Sequence, residues 1–301
     1  MSTGGEHAER FTLLRPLLFT IAYEILGSAS ESDDVLQDSY LRWADVDLST
    51  VRDTRSYLAQ LVTRQALNTL RANARRREDY VGPWLPEPLL LDEADASSDV
   101  VLAESVSMAM MVVLETLTPD ERAVFVLHEV FGFDYAEIAS AVGKSAGAVR
   151  QMAYRAREHV HARRQRSESV DVADAAEVTE RFMAAAATGD IDGLMAVLAP
   201  DAAWITDSGG RAKAIRRPVL GARKVAGVIA GFFRAAPKQV PDFRLETATY
   251  NNTPAVVVHS GDRVEGLVLV DVVDGRIANF YAVANPDKLA GITVPRAIRR
   301  Q

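Results

Sequence analysis

The chain has 301 residues, no cysteine, 48 % hydrophobic residues and a net charge of −7. That length holds two or three domains. No disulfide or thiolate metal site can form, no apolar run reaches the ~18 residues of a membrane helix, and the opening MSTGGEHAERF lacks the segments of a signal peptide, so a soluble cytoplasmic protein is expected. Lys/Arg and Asp/Glu balance after residue 166, so the whole deficit lies in residues 1–166. There, acidic stretches (31–53, 78–121) alternate with basic ones (52–77, 150–166). Local field, not net charge, decides phosphate binding. The pattern suits a protein that meets both DNA and a basic protein surface, and equally a set of solvated helix faces.

Residues 7–79 predict three helices. Leu14, Leu17, Leu18, Ile21, Ala22 and Ile25 recur at helical spacing, and Gly27 is a stop. A second helix is expected after Ser32, with Val35, Leu36, Tyr40 and Trp43 as its apolar stripe. A third starts near Thr54, buries Tyr57, Leu58, Leu61, Val62, Ala66 and Leu70, and ends in an arginine-rich polar tail. Residues 80–100 form a linker whose three prolines rule out a long helix. Trp84, Leu85 and Leu89 to Leu91 are too apolar for a free tether, so this linker is expected to dock.

Residues 101–166 are helical again. TPDE from Thr118 supplies a Thr cap, a Pro in the first turn and Glu121 to close a capping box; DYAE from Asp134 repeats the logic. Gly143 ends that short helix and Ser145 caps the next. With Ile138, Val142, Val149, Ala153 and Ala156 at core spacing, this is the arithmetic of a helix-turn-helix. If Val149, Ala153, Ala156 and Val160 point inward, then Gly147, Arg150, Gln151, Tyr154 and Arg155 face outward. Arg can pair bidentately with guanine and Gln with adenine, and the Ser145 hydroxyl with the first-turn N–H groups suits a phosphate. The plain alternative is the exposed face of a helical bundle.

From residue 167 the pattern changes. A helix near Ala173–Ala187 precedes GDIDGLMAVLAPDAAW, and four strand-like runs follow: FRLETATY, PAVVVHS, VEGLVLVDVVDG and IANFYAV. Turn signals at Asn251-Asn252 and Asp274-Gly275 separate them. Helices followed by a curled antiparallel sheet predict an α+β cone over 170–290, with a tail at 291–301.

ESDDVLQDSYLRW, from Glu31, resembles the core-polymerase-binding helix of sigma factors. RSYLAQLVTRQALNTLRANARR resembles their −10-binding helix, and the segment from LTPDERAVF to AREHV resembles sigma domain 4, which reads the −35 element. Residues 8–165 thus resemble an extracytoplasmic-function (ECF) sigma factor. The resemblance implies two all-α sigma domains, the second with the helix-turn-helix. It implies that Asp33, Asp34, Gln37 and Asp38 meet RNA polymerase core, whose beta-prime clamp and beta flap are the expected partners. It implies that Arg55, Arg64, Asn68, Arg71, Arg75 and Arg76 serve the −10 element, with a base flipped out near the loop Asp47–Arg55 at a cost of a few kcal/mol. Ser145, Gly147, Arg150, Gln151, Tyr154 and Arg155 would read −35 promoter DNA.

The remainder resembles the SnoaL-like, or NTF2-like, fold. WLPEPL from Trp84, DSGGRAK from Asp207 and NPDKL from Asn285 resemble the ECF subgroup with a SnoaL-like extension, which implies regulation in cis. Ser208 and Arg211 depart from the usual Asp-Gly-Gly-Gly-Lys, so that loop's geometry is not carried over. WLPEPL (Trp84, Leu85, Pro86) is expected to dock near Asp207, Gly209 and Gly210, with Asn285, Pro286 and Asp287 nearby. NTF2-like cones include enzymes, and Asp207, Asp271, His259 and Tyr281 are the candidates, but no pair of them has a spacing that demands catalysis. No catalytic residue, cofactor or metal is assigned. A small ligand in the cone is a further partner that such folds permit. Two other readings stand: a ligand-responsive regulator with a cone-shaped sensor, and an NTF2-like enzyme fused to a DNA-binding module.

Overall fold

The computed structural model describes residues 3–92, 99–163, 172–212 and 214–300. The first helical unit holds α1 (Thr3–Leu26), α2 (Ala29–Ala44), a 3-10 turn at Leu48–Thr50 and α3 (Thr54–Glu78). Gly27, at φ 71°, ends α1, and Ser28 immediately caps α2 by accepting from the Glu31 N–H. The second helix therefore begins earlier than expected. Ser32 lies inside it, buried, with its hydroxyl on the Ser28 carbonyl at 2.6 Å. The arginines that were expected to end α3 continue it instead, as good helix formers do.

The second unit contains α4 (Val100–Ser105), α5 (Met108–Leu114), α6 (Pro119–Phe125), a π-turn at Val126–Val130, α7 (Tyr135–Val142) and α8 (Ala146–Arg163). Both capping boxes form, and Gly143 closes α7 at φ 71°. The two units do not keep separate cores. Ile21 and Ile25 of α1, Leu58 and Val62 of α3, Val124, Ile138 and Val149 join one apolar cluster, which also takes in Leu89 of the linker and Ile298 of the tail. Each large side chain buried there contributes about 1.5–3 kcal/mol.

The C-terminal domain runs α9 (Val172–Thr188), α10 (Ile191–Val197), β1 (Leu198–Asp207), β2 (Val219–Leu220), α11 (Ala222–Gln239), β3 (Phe243–Tyr250), β4 (Thr253–Ser260), β5 (Arg263–Val273), β6 (Arg276–Val283) and α12 (Pro286–Leu289). The sheet order is β2-β1-β6-β5-β4-β3, and β1 pairs with β6 in parallel. The sheet is mixed, not wholly antiparallel. β1 escapes a sequence reading because an irregularity between Leu198 and Ala203 breaks its alternation. Asn251, Asn252, Asp274 and Gly275 all adopt positive φ in two of the three hairpin turns, as right-twisted strands require.

The two sheet faces have different neighbours. Val270, Val272 and Phe280 pack on Phe182, Val225 and Ile229 of the domain's own helices. Tyr250, Val257, Leu267, Leu269, Tyr281 and Val283 on the other face pack on Leu85 of the linker, Met108 of α5, and Leu289 and Ile292. The outer face of the sheet is thus covered by the linker and the second helical unit. None of the described helices is long and apolar enough to cross a membrane.

Candidate nucleic-acid interface and interdomain junction

The α8 face has the predicted sides. Val149, Ala153, Ala156 and Val160 are buried, while Ser145, Gly147, Arg150, Gln151, Tyr154 and Arg155 are exposed. Tyr154 is 64 % exposed, an unusual state for so large an aromatic side chain. Arg150, Gln151, Tyr154 and Arg155 line one shallow open groove. Arg150 leans over the Tyr135 ring at 5.4 Å, and Arg155 reaches Glu121 at 3.3 Å across open surface. Ser145 caps α8, its oxygen accepting from the Ala148 N–H at 3.2 Å.

The candidate −10 residues are placed differently. Arg55 donates to the carbonyls of Phe131 and Arg300, each at 3.3 Å, and stacks on Phe133 at 4.5 Å. Arg64 donates to the Ser140 carbonyl at 2.6 Å, and Arg71 pairs with Asp120, which Lys144 also contacts at 3.0 Å. Ser56 bonds Glu137. Arg55, Arg64 and Arg71 were expected to face DNA; α3 turns them toward the helix-turn-helix unit. The carbonyls and carboxylates of that unit are the acceptors that the guanidinium groups need once the two units share a core. Asn68 is exposed. Arg75 and Arg76 lie outside the residues whose side chains are described.

On α2, Asp34, Gln37 and Asp38 are exposed. Asp33 is not free: it accepts from Arg15 at 2.9 Å and from Arg296 of the C-terminal tail at 2.7 Å. Leu41, 60 % exposed, lies one turn beyond Gln37 and Asp38 on the same helix.

The linker meets the C-terminal domain at a buried ion pair. Asp207 is fully buried and accepts from the Lys288 ammonium at 2.7 Å, the Tyr80 hydroxyl at 2.5 Å and the Leu85 N–H at 2.8 Å. Lys288 also donates to the Leu85 carbonyl and sits 3.2 Å from the Trp84 ring centroid. Burial pulls the Lys288 pKa down, and Asp207 opposes that pull. Burial together with the Asp207 carboxylate pushes the Tyr80 hydroxyl up. Gly209 and Gly210 have φ of 56° and 73°, and a Cβ on Gly209 would lie 2.8 Å from Asn285 Nδ2 and 3.0 Å from the Tyr80 hydroxyl. The residues against this loop are therefore Tyr80 and Val81, slightly ahead of WLPEPL, while Leu85 holds Asp207. Pro86 is buried against Gly27. Asn285 caps α12, with Pro286 exposed in its first turn, and Asp287 pairs with Arg211 at 3.1 Å on the surface.

Three further groups were legible in the sequence only as a turn and scattered charges. Asn251, fully buried at the β3–β4 turn, donates to the Tyr23 hydroxyl and the Val106 carbonyl, both at 2.8 Å, and accepts from the Leu89 N–H at 2.7 Å. One side chain thereby joins both helical units and the linker. Glu87 accepts from the Ala29 and Ser30 N–H groups and the Ser28 hydroxyl, tying the linker to the start of α2. Glu24, fully buried between α1 and the second unit, accepts from Ser105 at 2.7 Å; burial pushes its pKa up to about 8, against that bond and Arg122.

The candidate enzyme residues do not converge inside the cone. Tyr281 belongs to the outer sheet face, Asp271 lies on that face by alternation with Leu269, and Asp207 is consumed by the linker junction. Asp271 holds Asn279 at 2.7 Å, and its pKa is raised by burial. His259 lies 3.2 Å from Glu246 near the end of β4. Among the described residues no His/Asp/Glu group could hold a metal ion.

Comparison with known proteins fits this division of the chain. Residues 11–76 match the model of sigma-70 region 2, residues 107–160 that of sigma-70 region 4, and residues 179–280 that of the SnoaL-like domain. The ECF RNA polymerase sigma factor SigJ of Mycobacterium tuberculosis is 37 % identical over 93 % of this chain and 92 % of its own length. This chain belongs to the ECF RNA polymerase sigma factors. A probable ECF sigma factor of that organism, SigI, is 29 % identical over 91 % of this chain and 92 % of its own. The crystal structure of M. tuberculosis SigJ superposes with a TM-score of 0.73 at 33 % identity, covering 95 % of this chain and 99 % of that one. The sigma factor therefore has helical region 2 and region 4 units and a SnoaL-like domain with a mixed sheet, and it is a transcription regulator.

Proposed function

We propose that this sigma factor directs RNA polymerase core to promoter DNA, and that the compact arrangement of its three units is an inactive state held in cis by the SnoaL-like domain. In this reading Asp34, Gln37 and Asp38 meet the polymerase clamp, with Leu41 as their apolar neighbour. Arg150, Gln151, Tyr154 and Arg155 read the −35 element. The observation that carries the proposal is the pairing of Arg55, Arg64 and Arg71 with the helix-turn-helix unit. Three of the groups that would serve the −10 element, Arg55, Arg64 and Arg71, spend hydrogen bonds on region 4 that phosphates would otherwise take. The two readers of one promoter must separate before both can lie along a duplex.

The buried Asp207–Lys288 junction and the Asn251 bridge would hold this arrangement, because the first ties the SnoaL-like domain to the linker and the second ties it to both helical units. Run-off transcription with core polymerase tests the proposal. The full chain should initiate from a −10/−35 promoter. A Gln60→Cys/Ser140→Cys variant, whose native side chains lie 3.1 Å apart across the α3–α7 contact, should lose initiation when bridged by a short bismaleimide. No native thiol competes for the reagent. Full activity of the bridged protein would refute the inactive-state reading, and absence of promoter-specific transcripts from both the unbridged chain and a D207N variant, whose junction is loosened, would refute the sigma role.

A further inference from the structure

Between Asp207 and Asp242 the chain has eight Lys/Arg and no Asp or Glu, half of the cations of residues 167–301. The rest of the protein is strongly acidic, so this run is a concentrated reversal of sign. Most of it lies on α11 and the loop before it. Arg216, Arg217, Arg223, Lys224, Arg234 and Lys238 are all exposed, and among the described residues none of them has a carboxylate partner.

At 3.6 residues per turn, Arg223, Lys224, Gly227, Gly231, Arg234 and Lys238 fall within an arc of about 100°. Ala222, Val225, Ala226, Ile229 and Ala236 are buried on the opposite side. The cationic row spans about 22 Å, the length of about six phosphates along one strand. Its composition is unfavourable for the helix itself. Arg223 and Lys224 occupy the first turn, where the helix dipole favours anions. Gly227 and Gly231 cost helix stability, and a Cβ on either would meet nothing within 4 Å. Packing within the chain thus explains neither the cations nor the glycines.

We infer that this face of α11, with Arg216 and Arg217 of the preceding loop, binds the sugar–phosphate backbone of duplex promoter DNA without reading its sequence. The inference rests on the promoter-binding reading above and extends it to the SnoaL-like domain. An acidic protein is the less suited occupant, because protein interfaces centre on a buried aromatic or aliphatic anchor, whereas the cationic row of α11 carries no exposed large hydrophobic residue, and the exposed Ile215 and Leu220 lie outside that row, before the helix begins. The loop is also placed beside the −10 unit. The Arg216 carbonyl lies 3.9 Å from the Cβ position of Gly82, and Val81 packs on Gly210, just after α3. Duplex passing the −10 unit would meet cations rather than the acidic remainder of the molecule.

The test uses the full chain and a fluorescent duplex of about 40 base pairs, with affinity measured from about 50 to 200 mM salt. The fourfold variant R223Q/K224Q/R234Q/K238Q keeps helix propensity and removes the charge. It should unfold at a temperature no lower than wild type. It should weaken binding at least about tenfold at low salt, to promoter and scrambled duplex alike, and flatten the plot of log K against log salt by about 0.9 for each phosphate that the variant no longer neutralises. R150A/R155A should instead reduce only the ratio of promoter to scrambled affinity. An unchanged salt slope in the fourfold variant overturns the inference, whether or not core polymerase recovery falls; a fall there would assign the face to a protein. Retained sequence preference in wild type alongside that result would leave the promoter-binding reading intact.

Discussion

Replacing Asp207 by Asn keeps the shape of the side chain and removes its charge, leaving the Lys288 ammonium, 3 % exposed, without its counter-ion. Taking one partner from a buried ion pair costs about 3–5 kcal/mol, against roughly 1 kcal/mol for each ordinary hydrogen bond. The relief available is discharge of Lys288, whose pKa burial already lowers. An unfolded Lys titrates at about 10.4. Between the folded and unfolded values the unfolded chain binds more protons, so stability rises with pH there. The D207N loss should therefore be greatest near neutral pH and shrink toward about pH 10. K288M removes the stranded charge while keeping an unbranched apolar side chain. The D207N/K288M double variant should return to within about 1 kcal/mol of wild type. Urea unfolding followed by tryptophan fluorescence is the assay, and Trp84, which touches Lys288, is one of the three tryptophans that contribute to the signal. A D207N loss under about 1 kcal/mol, or an equal loss in the single and double variants, would show that the ion pair is not what holds the linker.

Glu24 titrates at about 8 in the compact protein and near 4.5 when exposed. The compact form therefore binds the extra proton, and docking of the two helical units should weaken as pH rises from about 4.5 to 8. E24Q should flatten that dependence in a pH series of thermal melts. R150A and R155A should each cost about 1–3 kcal/mol of promoter affinity while core polymerase still co-purifies. D34K should abolish that co-purification by reversing a charge on the exposed α2 face, with promoter binding by α8 unaffected. N251A should destabilise more than N251G in urea unfolding, since both lose the three bridging bonds but only Ala also strains the positive φ of 52°.

Local chemistry determined what could be read from the sequence alone. The Thr118–Glu121 and Asp134–Glu137 boxes, the Gly143 turn and the Val149–Val160 stripe are short-range patterns, and they place the α8 reading face without reference to any other domain. The four strands β3 to β6 are similarly legible, because alternation and positive-φ turns are properties of adjacent residues. The linker's apolar residues also signal that it must be buried. Only the tertiary structure decided against what. Arg64 reads as a phosphate contact because an arginine without a protein partner and one bonded to the Ser140 carbonyl 76 residues away have the same sequence. Asn251 reads as a turn former, yet its amide joins Tyr23, Leu89 and Val106. Asp33 reads as part of a free acidic face until Arg296 folds back onto it. Pairings between distant segments depend on which surfaces share a core, and that is set by the sum of many burials rather than by any local motif.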